Sequence, residues 1–324
     1  MMEDPHVYSK VQKHLLQRID ELTDSGWLAD SRVHPLNSIP DTWILREDES
    51  GFGISGTKRR KMASLIPWLQ QHQIDQVAVI GGANSNHVVA VALALNEAKI
   101  RVQGFLLEGR EGPKRGNAML ASLLIPEEQI TRISRSDWTD VEQMATEWAT
   151  AQNGNVYVIP EGGNCLPSVP GAATLVYAWA LSEPDRFQHV WLDAGTGLTA
   201  ATAILMSGAL SWSGTIHVVL TAGNETSFSV QLEQTSDWWK ACFGIEAQPC
   251  KFELHIPPTA KSFGSVNATV WQEVTKIARE EGILADPVYT AKLFLTLKQE
   301  MGSFPGRHLV IHGGGGTGMM GFER

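Results

Sequence analysis

The sequence is short of cysteine, of positive charge and of long apolar runs, and each shortage removes a class of protein. Its three cysteines, Cys165, Cys242 and Cys250, are scattered, with no CxxC and no Cys/His pair at zinc spacing. Neither a disulfide framework nor a metal site is expected. Lys and Arg number 26 against 35 Asp and Glu, a formal net charge of −9. A general nucleic-acid binder needs basic residues in excess on some face, and no long basic run supplies them. The longest apolar stretch, Trp191 to Trp212, is interrupted by Asp193, glycines and threonines, so no membrane span is expected. The opening MMEDPHVYSK carries acids where a signal peptide carries basic residues, and the expected location is cytoplasmic.

What is present is globular. A chain of 324 residues, 43% of them hydrophobic, has room for about two domains, each with its own core. No repeat, coiled coil or low-complexity linker marks a boundary between them. The 30 glycines are informative through their positions. Short β-branched runs end in glycine and give way to helical patterns: Gln76 to Ile80 before GGANSN, Val156 to Pro160 before EGGN, His189 to Asp193 before AGTG, and Arg307 to His312 before GGGGTG. Val102 to Leu107 and Thr215 to Thr221 are further strands. Strands alternating with helices predict an α/β protein with mainly parallel sheets, whose ligands gather beyond the carboxyl ends of the strands.

Helices are predicted over His87 to Ala98, with Ser85 as cap, over Leu198 to Leu210 after Gly197, and over Ser136 to Ala151. In the last, Trp138, Val141, Met144, Ala145 and Trp148 recur at helical spacing and read as core. GREGPKRGN (Gly109 to Asn117) reads as a solvated charged loop.

Three glycine motifs bear on chemistry. GFGISGTKRRK (Gly51 to Lys61) has P-loop spacing but the wrong order, because Thr57 stands between Gly56 and Lys58 and Arg59 follows the lysine. Its basic cluster Lys58 to Lys61 reads, in isolation, as a solvated face. AGTGLTA gives Gly195-x-Gly197-x-x-Ala200, a minimal dinucleotide fingerprint. The next strand ends Val219-Leu220-Thr221 without the acid that would hold a ribose, so an NAD(P)-binding oxidoreductase is the weaker alternative. GGGGTG (Gly313 to Gly318) lies too near the end of the sequence for a βαβ unit. The more general physics survives: amides at a glycine-rich helix start receive an anion. Gly195, Thr196, Gly197, Leu198 and Thr199 suit a phosphate, while Ser85, Asn86 and His87 add side-chain donors that suit a carboxylate. With Lys58, these point to a Schiff-base cofactor acting on an amino acid.

These segments resemble the fold-type II pyridoxal-phosphate enzymes, specifically the group of 1-aminocyclopropane-1-carboxylate deaminase and D-cysteine desulfhydrase. The resemblance runs in order through SGTKRRKMASLIP, GGANSNHVVAVA, IPEGGNCLPSVPGAATLVYA, DAGTGLTAA, GILADPVYTAKL and HGGGGTG. It implies a two-domain, three-layer αβα architecture of open, twisted, mainly parallel sheets, like the tryptophan synthase β chain. A small domain, residues 56–165, would be inserted in a large cofactor domain made of 1–55 and 166–324. A homodimer is implied.

Residue by residue, Lys58 resembles the lysine that bonds the cofactor. Ser85, Asn86 and His87 resemble the substrate-carboxylate loop, with Ser85 also a candidate for proton transfer. Gly195 to Thr199 resembles the phosphate loop, and Tyr289 the tyrosine near the cofactor ring. Thr290 would stand beside the pyridine nitrogen, and Thr317 would stand in for a small hydroxyl residue usual near His312-Gly313-Gly314. His87 and Thr290 match desulfhydrase-like members, where deaminases have Gln and Glu. A neutral hydroxyl beside the ring nitrogen weakens the electron sink, which suits loss of a thiolate better than ring opening. The sequence departs from the family at Thr57, where Asn is usual, at Phe263, where a second tyrosine is usual, and at Pro167 and Pro170. The implied activity is α,β-elimination from D-cysteine or a related β-substituted D-amino acid. A 1-aminocyclopropane-1-carboxylate deaminase and a catalytically weakened cofactor-binding member are the alternatives.

Overall fold

The computed structural model describes residues 8–109 and 112–322. The first seven residues, which include most of the acidic opening, and Arg110 and Glu111 of the charged segment lie outside the described residues. Two sheets organise the chain. Strands β1 (Val33–Pro35), β2 (Thr42–Arg46), β7 (His189–Ala194), β8 (Thr215–Leu220), β9 (Lys251–His255) and β10 (His308–His312) form a six-stranded sheet in the order β1-β2-β10-β7-β8-β9. Within it β1 runs antiparallel to β2 and the remaining pairs are parallel. Strands β3 (Gln76–Gly82), β4 (Arg101–Leu107), β5 (Ile130–Ile133) and β6 (Val156–Ile159) form an all-parallel sheet in the order β5-β4-β3-β6. This sheet interrupts the chain between β2 and β7.

The helices are α1 (Lys10–Leu22), α2 (Thr57–Gln71), α3 (Asn86–Glu97), α4 (Gly116–Leu124), α5 (Val141–Thr150), α6 (Val169–Ala173), α7 (Tyr177–Ala180), α8 (Leu198–Ala209), α9 (Glu225–Phe243), α10 (Ala268–Glu281), α11 (Thr290–Glu300) and α12 (Gly316–Met319). They cover both faces of each sheet. Alternation along the strands decides which side chain meets which layer. Val190 and Leu192 of β7 join the core shared with α1, α8 and α9, whereas Trp191 between them joins α10 and α11 on the other face. Val77 and Val79 of β3 pack with α2, α3 and α4, while Ala78 and Ile80 pack with α5. Parallel sheets buried on both faces require such continuous apolar runs. The three-layer α/β architecture expected from the sequence is present.

The predicted helix over 136–151 is shorter: Trp138–Asp140 forms a 3-10 turn before α5 begins. Its apolar set is core as expected, Val141 and Ala145 being buried with Trp138, Met144 and Trp148 packed against them. The strand ends place the site. The glycine segments after β3, β6, β7 and β10 all leave carboxyl ends, and they meet between the two sheets.

Candidate active site

Helix α2 starts at Gly56, whose φ is +66° and whose amide donates to the Glu47 carbonyl at 2.9 Å. A Cβ at this position would lie 1.9 Å from the Gly313 carbonyl oxygen, and the next amide, Thr57, donates to that same oxygen. The first turn of α2 is thereby seated on the loop after β10. The following four basic residues are not the solvated face their isolated pattern suggests. Arg59 donates to the carbonyls of Trp27 and Ser50. Arg60 forms a bidentate pair with buried Glu47, both contacts 2.6 Å. Lys61 is buried, its ammonium 2.8 Å from the Gly162 carbonyl. Lys58 alone has no hydrogen-bond partner among the described residues.

Burial lowers the Lys58 pKa, and the Asp193 carboxylate partly opposes this. Asp193, near the end of β7, is in turn raised to about 7 by burial and by Asp286, with Lys58 pulling the other way. An amine and a carboxyl, both displaced towards neutrality, therefore face each other where β7 and β10 end. Nothing in the sequence patterns singled out Asp193 as part of the site.

Beyond β7 the chain turns through Gly195 and Gly197 into α8. Gly197 has φ +92°, a left-handed conformation that glycine adopts without penalty. The first helical hydrogen bond is Ala201 N to Gly197 O at 2.9 Å. The amides of Thr196, Gly197, Leu198 and Thr199 donate to no acceptor among the described residues, as the first turn of a helix leaves them. A Cβ on Gly195 would touch the Tyr289 ring at 3.3 Å, and one on Gly162 would clash with the Thr196 hydroxyl at 2.6 Å. Close approach from both sides leaves a narrow cradle of N–H donors. It suits a phosphate group and the positive end of the α8 dipole.

On the opposite sheet Ser85 caps α3, its hydroxyl oxygen accepting from the amides of His87 at 3.1 Å and Val88 at 3.4 Å. The cap occupies lone pairs and leaves the hydroxyl hydrogen free. Asn86 is held through its Oδ1 by Asn117 Nδ2 at 2.6 Å, which leaves the Asn86 amide group as a donor. Its side chain lies against Gly315 and Gly318. Asn117 is fully buried and also donates to the Asn84 carbonyl. The charged segment ending there is thus not a solvated loop throughout: Gly116 and Asn117 begin α4 and are buried beneath the site. His87 is buried, and neither ring nitrogen makes a hydrogen bond of good geometry, although the Pro160 carbonyl lies near. Burial, then the charges of Lys58 and Lys61, push it well below the usual imidazole range and keep the ring neutral.

Tyr289 precedes α11. Burial and the nearby Asp193, Asp286 and Glu161 push its phenol well above the ordinary value, so it keeps its proton. The Thr290 hydroxyl, expected beside the cofactor ring, is committed to Asp286 at 2.9 Å and lies 3.4 Å from His312 Nδ1. Thr317 falls in the short α12, between the two glycines that meet Asn86. The residue of that loop nearest Asp193 is Gly313, where a Cβ would stand 3.6 Å from Oδ1 and 3.8 Å from the Thr57 methyl. Phe263 is 61% exposed, with its ring 6.2 Å from that of Tyr289. The structure brings Lys58, His87, Tyr289 and the Gly195–Thr199 loop together and adds Asp193 and Lys61 to them.

Known proteins resemble this chain over most of its length. The sequence profile described as pyridoxal-phosphate dependent enzyme matches residues 32–314. A Pyrococcus horikoshii protein provisionally named 1-aminocyclopropane-1-carboxylate deaminase is 28% identical over 295 residues, covering 86% of this chain and 85% of that relative. The mitochondrial bifunctional D-cysteine desulfhydrase/1-aminocyclopropane-1-carboxylate deaminase of Arabidopsis thaliana is 27% identical over 300 residues, covering 86% of this chain and 73% of the relative. The crystal structure of an ACC deaminase homologue superposes with a TM-score of 0.81 at 22% identity, covering 97% of both chains, and so shares the fold. The chain belongs to the family of pyridoxal-phosphate dependent enzymes.

Proposed function

We propose that this enzyme eliminates the β-substituent and ammonia from D-cysteine or a related β-substituted D-amino acid. With D-cysteine and water the products are pyruvate, ammonia and hydrogen sulfide. The observation that carries the reading is the buried Lys58 amine, its pKa lowered, close to Asp193 on the strand that leads into four unshared amides and close to His87 at the start of α3. Pyridoxal phosphate fits that donor set. Thr196 to Thr199 would hold its phosphate, and Lys58 would bond its aldehyde carbon. When bound, the cofactor supplies the sink for the charge left on the substrate Cα after its proton is lost.

The remaining work falls to the chain. Lys58, when its amine is free, would be the base for the Cα proton, and its lowered pKa readies it for that task. Ser85 offers its free hydroxyl hydrogen and Asn86 its amide hydrogens to the substrate carboxylate. Neutral His87 lines the same pocket without adding a charge. Tyr289 is a proton donor rather than a base, placed to serve the departing group. Thr290, carrying no carboxylate and bound to Asp286, supports elimination of a good leaving group over ring opening. The Arabidopsis relative is named for both activities, which makes 1-aminocyclopropane-1-carboxylate the second substrate to test. The same reading makes residues 56–165 the smaller inserted domain, 1–55 and 166–324 the cofactor domain, and the enzyme a cytoplasmic homodimer.

The test has two stages. Borohydride reduction of the coloured holoenzyme should fix the cofactor to the peptide containing Lys58, and another peptide would overturn the site. Pyruvate and sulfide should then appear from D-cysteine faster than from L-cysteine, with little 2-oxobutanoate from 1-aminocyclopropane-1-carboxylate. The reverse ranking would assign ring opening, and no turnover of any of them would assign a cofactor-binding protein without this activity.

A further inference from the structure

On the face of the six-stranded sheet opposite α8, the side beneath α11, four histidines stand on adjacent strands: His308 on β10, His189 on β7, His217 on β8 and His255 on β9. Three of them form a hydrogen-bonded chain whose direction can be deduced. His189 Nε2 lies 3.3 Å from the Pro305 carbonyl, which only accepts, so this nitrogen carries the hydrogen. An imidazole that carries its hydrogen on Nε2 accepts at Nδ1. His217 Nε2, 3.0 Å away, must then donate to it. His217 is fully buried, and its hydrogen sits on the Nε2 that faces His189. Its Nδ1 therefore presents a lone pair, directed at His255. Trp191 stacks flat on the ring, with centroids 4.0 Å apart, and fixes the direction of that lone pair.

The lone pair points to the edge of the sheet. His255 Nε2 lies 2.9 Å from it, and Glu253, paired with His217 across the ladder, brings a carboxylate to the same place. The three ligand atoms lie within 4.8 Å of one another. Glu253 has no hydrogen-bond partner among the described residues. We propose that His217 Nδ1, His255 Nε2 and Glu253 form a binding site for a divalent transition-metal ion, zinc by its donor set, separate from the cofactor site. Two nitrogens on tetrahedral zinc stand ~3.3 Å apart, given bonds of ~2.0–2.1 Å, so the rings must part by a few tenths of an ångström. His255 can supply that movement, being half-buried on the edge strand β9. Glu253 is also partly exposed, which leaves a fourth position open to water, as in sites with three protein ligands.

The chain behind His217 is what such a ligand needs. A metal-bound imidazole is oriented by donating its other N–H, and His189 receives that hydrogen. Glu300, at the end of α11, adds negative charge near His255, and Lys251 opposes it. An ion here would add a side-chain tie to the β8–β9 ladder at the edge of the sheet. The spacing of these ligands hides them in the sequence, since His217 and the Glu253-x-His255 pair come from strands separated by the whole of α9.

The test uses holoenzyme stripped of metal by chelation and titrated with zinc alone, by calorimetry and by metal analysis after dialysis. The wild type should hold one zinc per chain and unfold at a higher temperature with it. His255→Ala and Glu253→Gln should each lose that zinc and its thermal shift while keeping the circular dichroism and turnover of the metal-free enzyme. His189→Ala should weaken binding about 10–100-fold, the range for an outer partner of a ligand. A wild type that retains no zinc, or a His255→Ala variant that retains as much as the wild type, overturns the proposal. In either case the His255 hydrogen simply closes the imidazole chain onto His217.

Discussion

Thr290 Oγ1 donates to Asp286 Oδ2 across 2.9 Å, and the same carboxylate accepts the amides of Val288, Tyr289 and Thr290 at 2.9, 2.8 and 3.1 Å. Asp286 thus collects four donors in a buried position and sets the start of α11, on which Tyr289 enters the site. Replacing Thr290 by Val removes a hydrogen bond to a carboxylate. The expected loss of stability is about 1.5–3 kcal/mol, whereas Thr290→Ser, which keeps the hydroxyl, should lose under about 1 kcal/mol. Urea unfolding of the three proteins checks this. Equal stabilities of the Val variant and the wild type would mean that the three amides alone hold the carboxylate.

Asp193 should show itself in the pH dependence of stability. Its pKa is 3.8 when unperturbed and about 7 in the folded protein. Between those values the folded chain keeps a proton that the unfolded chain has released, so stability falls as pH rises through this window, and the full loss persists above it. Asparagine is neutral throughout. The stability of Asp193→Asn relative to the wild type should therefore grow from pH 4 to pH 7 and then level off, as measured by unfolding of the cofactor-free proteins. The same substitution removes the charge that raises the Lys58 pKa, so the cofactor should attach faster to the variant at neutral pH. A pH-independent difference would remove Asp193 from its place as the carboxyl partner of Lys58.

Gly56 tests the seat of α2. Alanine there adopts a positive φ and drives its methyl group into the Gly313 carbonyl. Left-handed strain and overpacking together should cost about 2–5 kcal/mol, and displacement of the first turn should weaken cofactor binding with it. Gly316 is the control, since its added Cβ meets nothing within 4 Å. Gly316→Ala should leave both stability and cofactor affinity close to wild type, and a Gly56→Ala protein that did the same would refute the seating of α2 on the last glycine loop.

How far the molecule could be read from sequence follows from the range of the interactions involved. Strands β3, β4, β6, β7, β8 and β10 were legible because each has a mostly apolar run and most lead into glycine. Ser85 was legible as a cap because capping is local. TWILR in β2 and KFELH in β9 were not, because they are short and mixed; they become strands by pairing with β10 and β8. The meeting of glycine segments at carboxyl ends was legible as a rule of α/β sheets. Lys58, His87, Tyr289 and the Gly195–Thr199 loop were legible as site residues through the family resemblance, but the side chains that hold or face them were not. Asp193 and Lys58 lie on different elements, and so do Asn86 and Asn117, or Lys61 and Gly162. No periodicity links such pairs, and the basic cluster after Gly56 looked solvated until each partner's position in space was known.

The last of those partners carries its own prediction. Glu47 is 1% exposed and Arg60 10% by side chain, and Arg60 also donates to the carbonyl and hydroxyl of Thr174. Two charges taken out of water gain little net stability by pairing, but either one left alone is costly. Arg60→Ala should lose about 3–5 kcal/mol by stranding Glu47, and Glu47→Leu should lose a similar amount by stranding Arg60. The double variant Glu47→Leu/Arg60→Met should recover most of both losses, since it removes the charges together and refills the space. Unfolding free energies over this cycle separate two causes. Recovery in the double variant makes the buried charge the source of the single losses. Additive losses would instead make the cause packing around α2, in which case the first turn that carries Lys58 depends on the shape of Arg60 rather than on its ion pair.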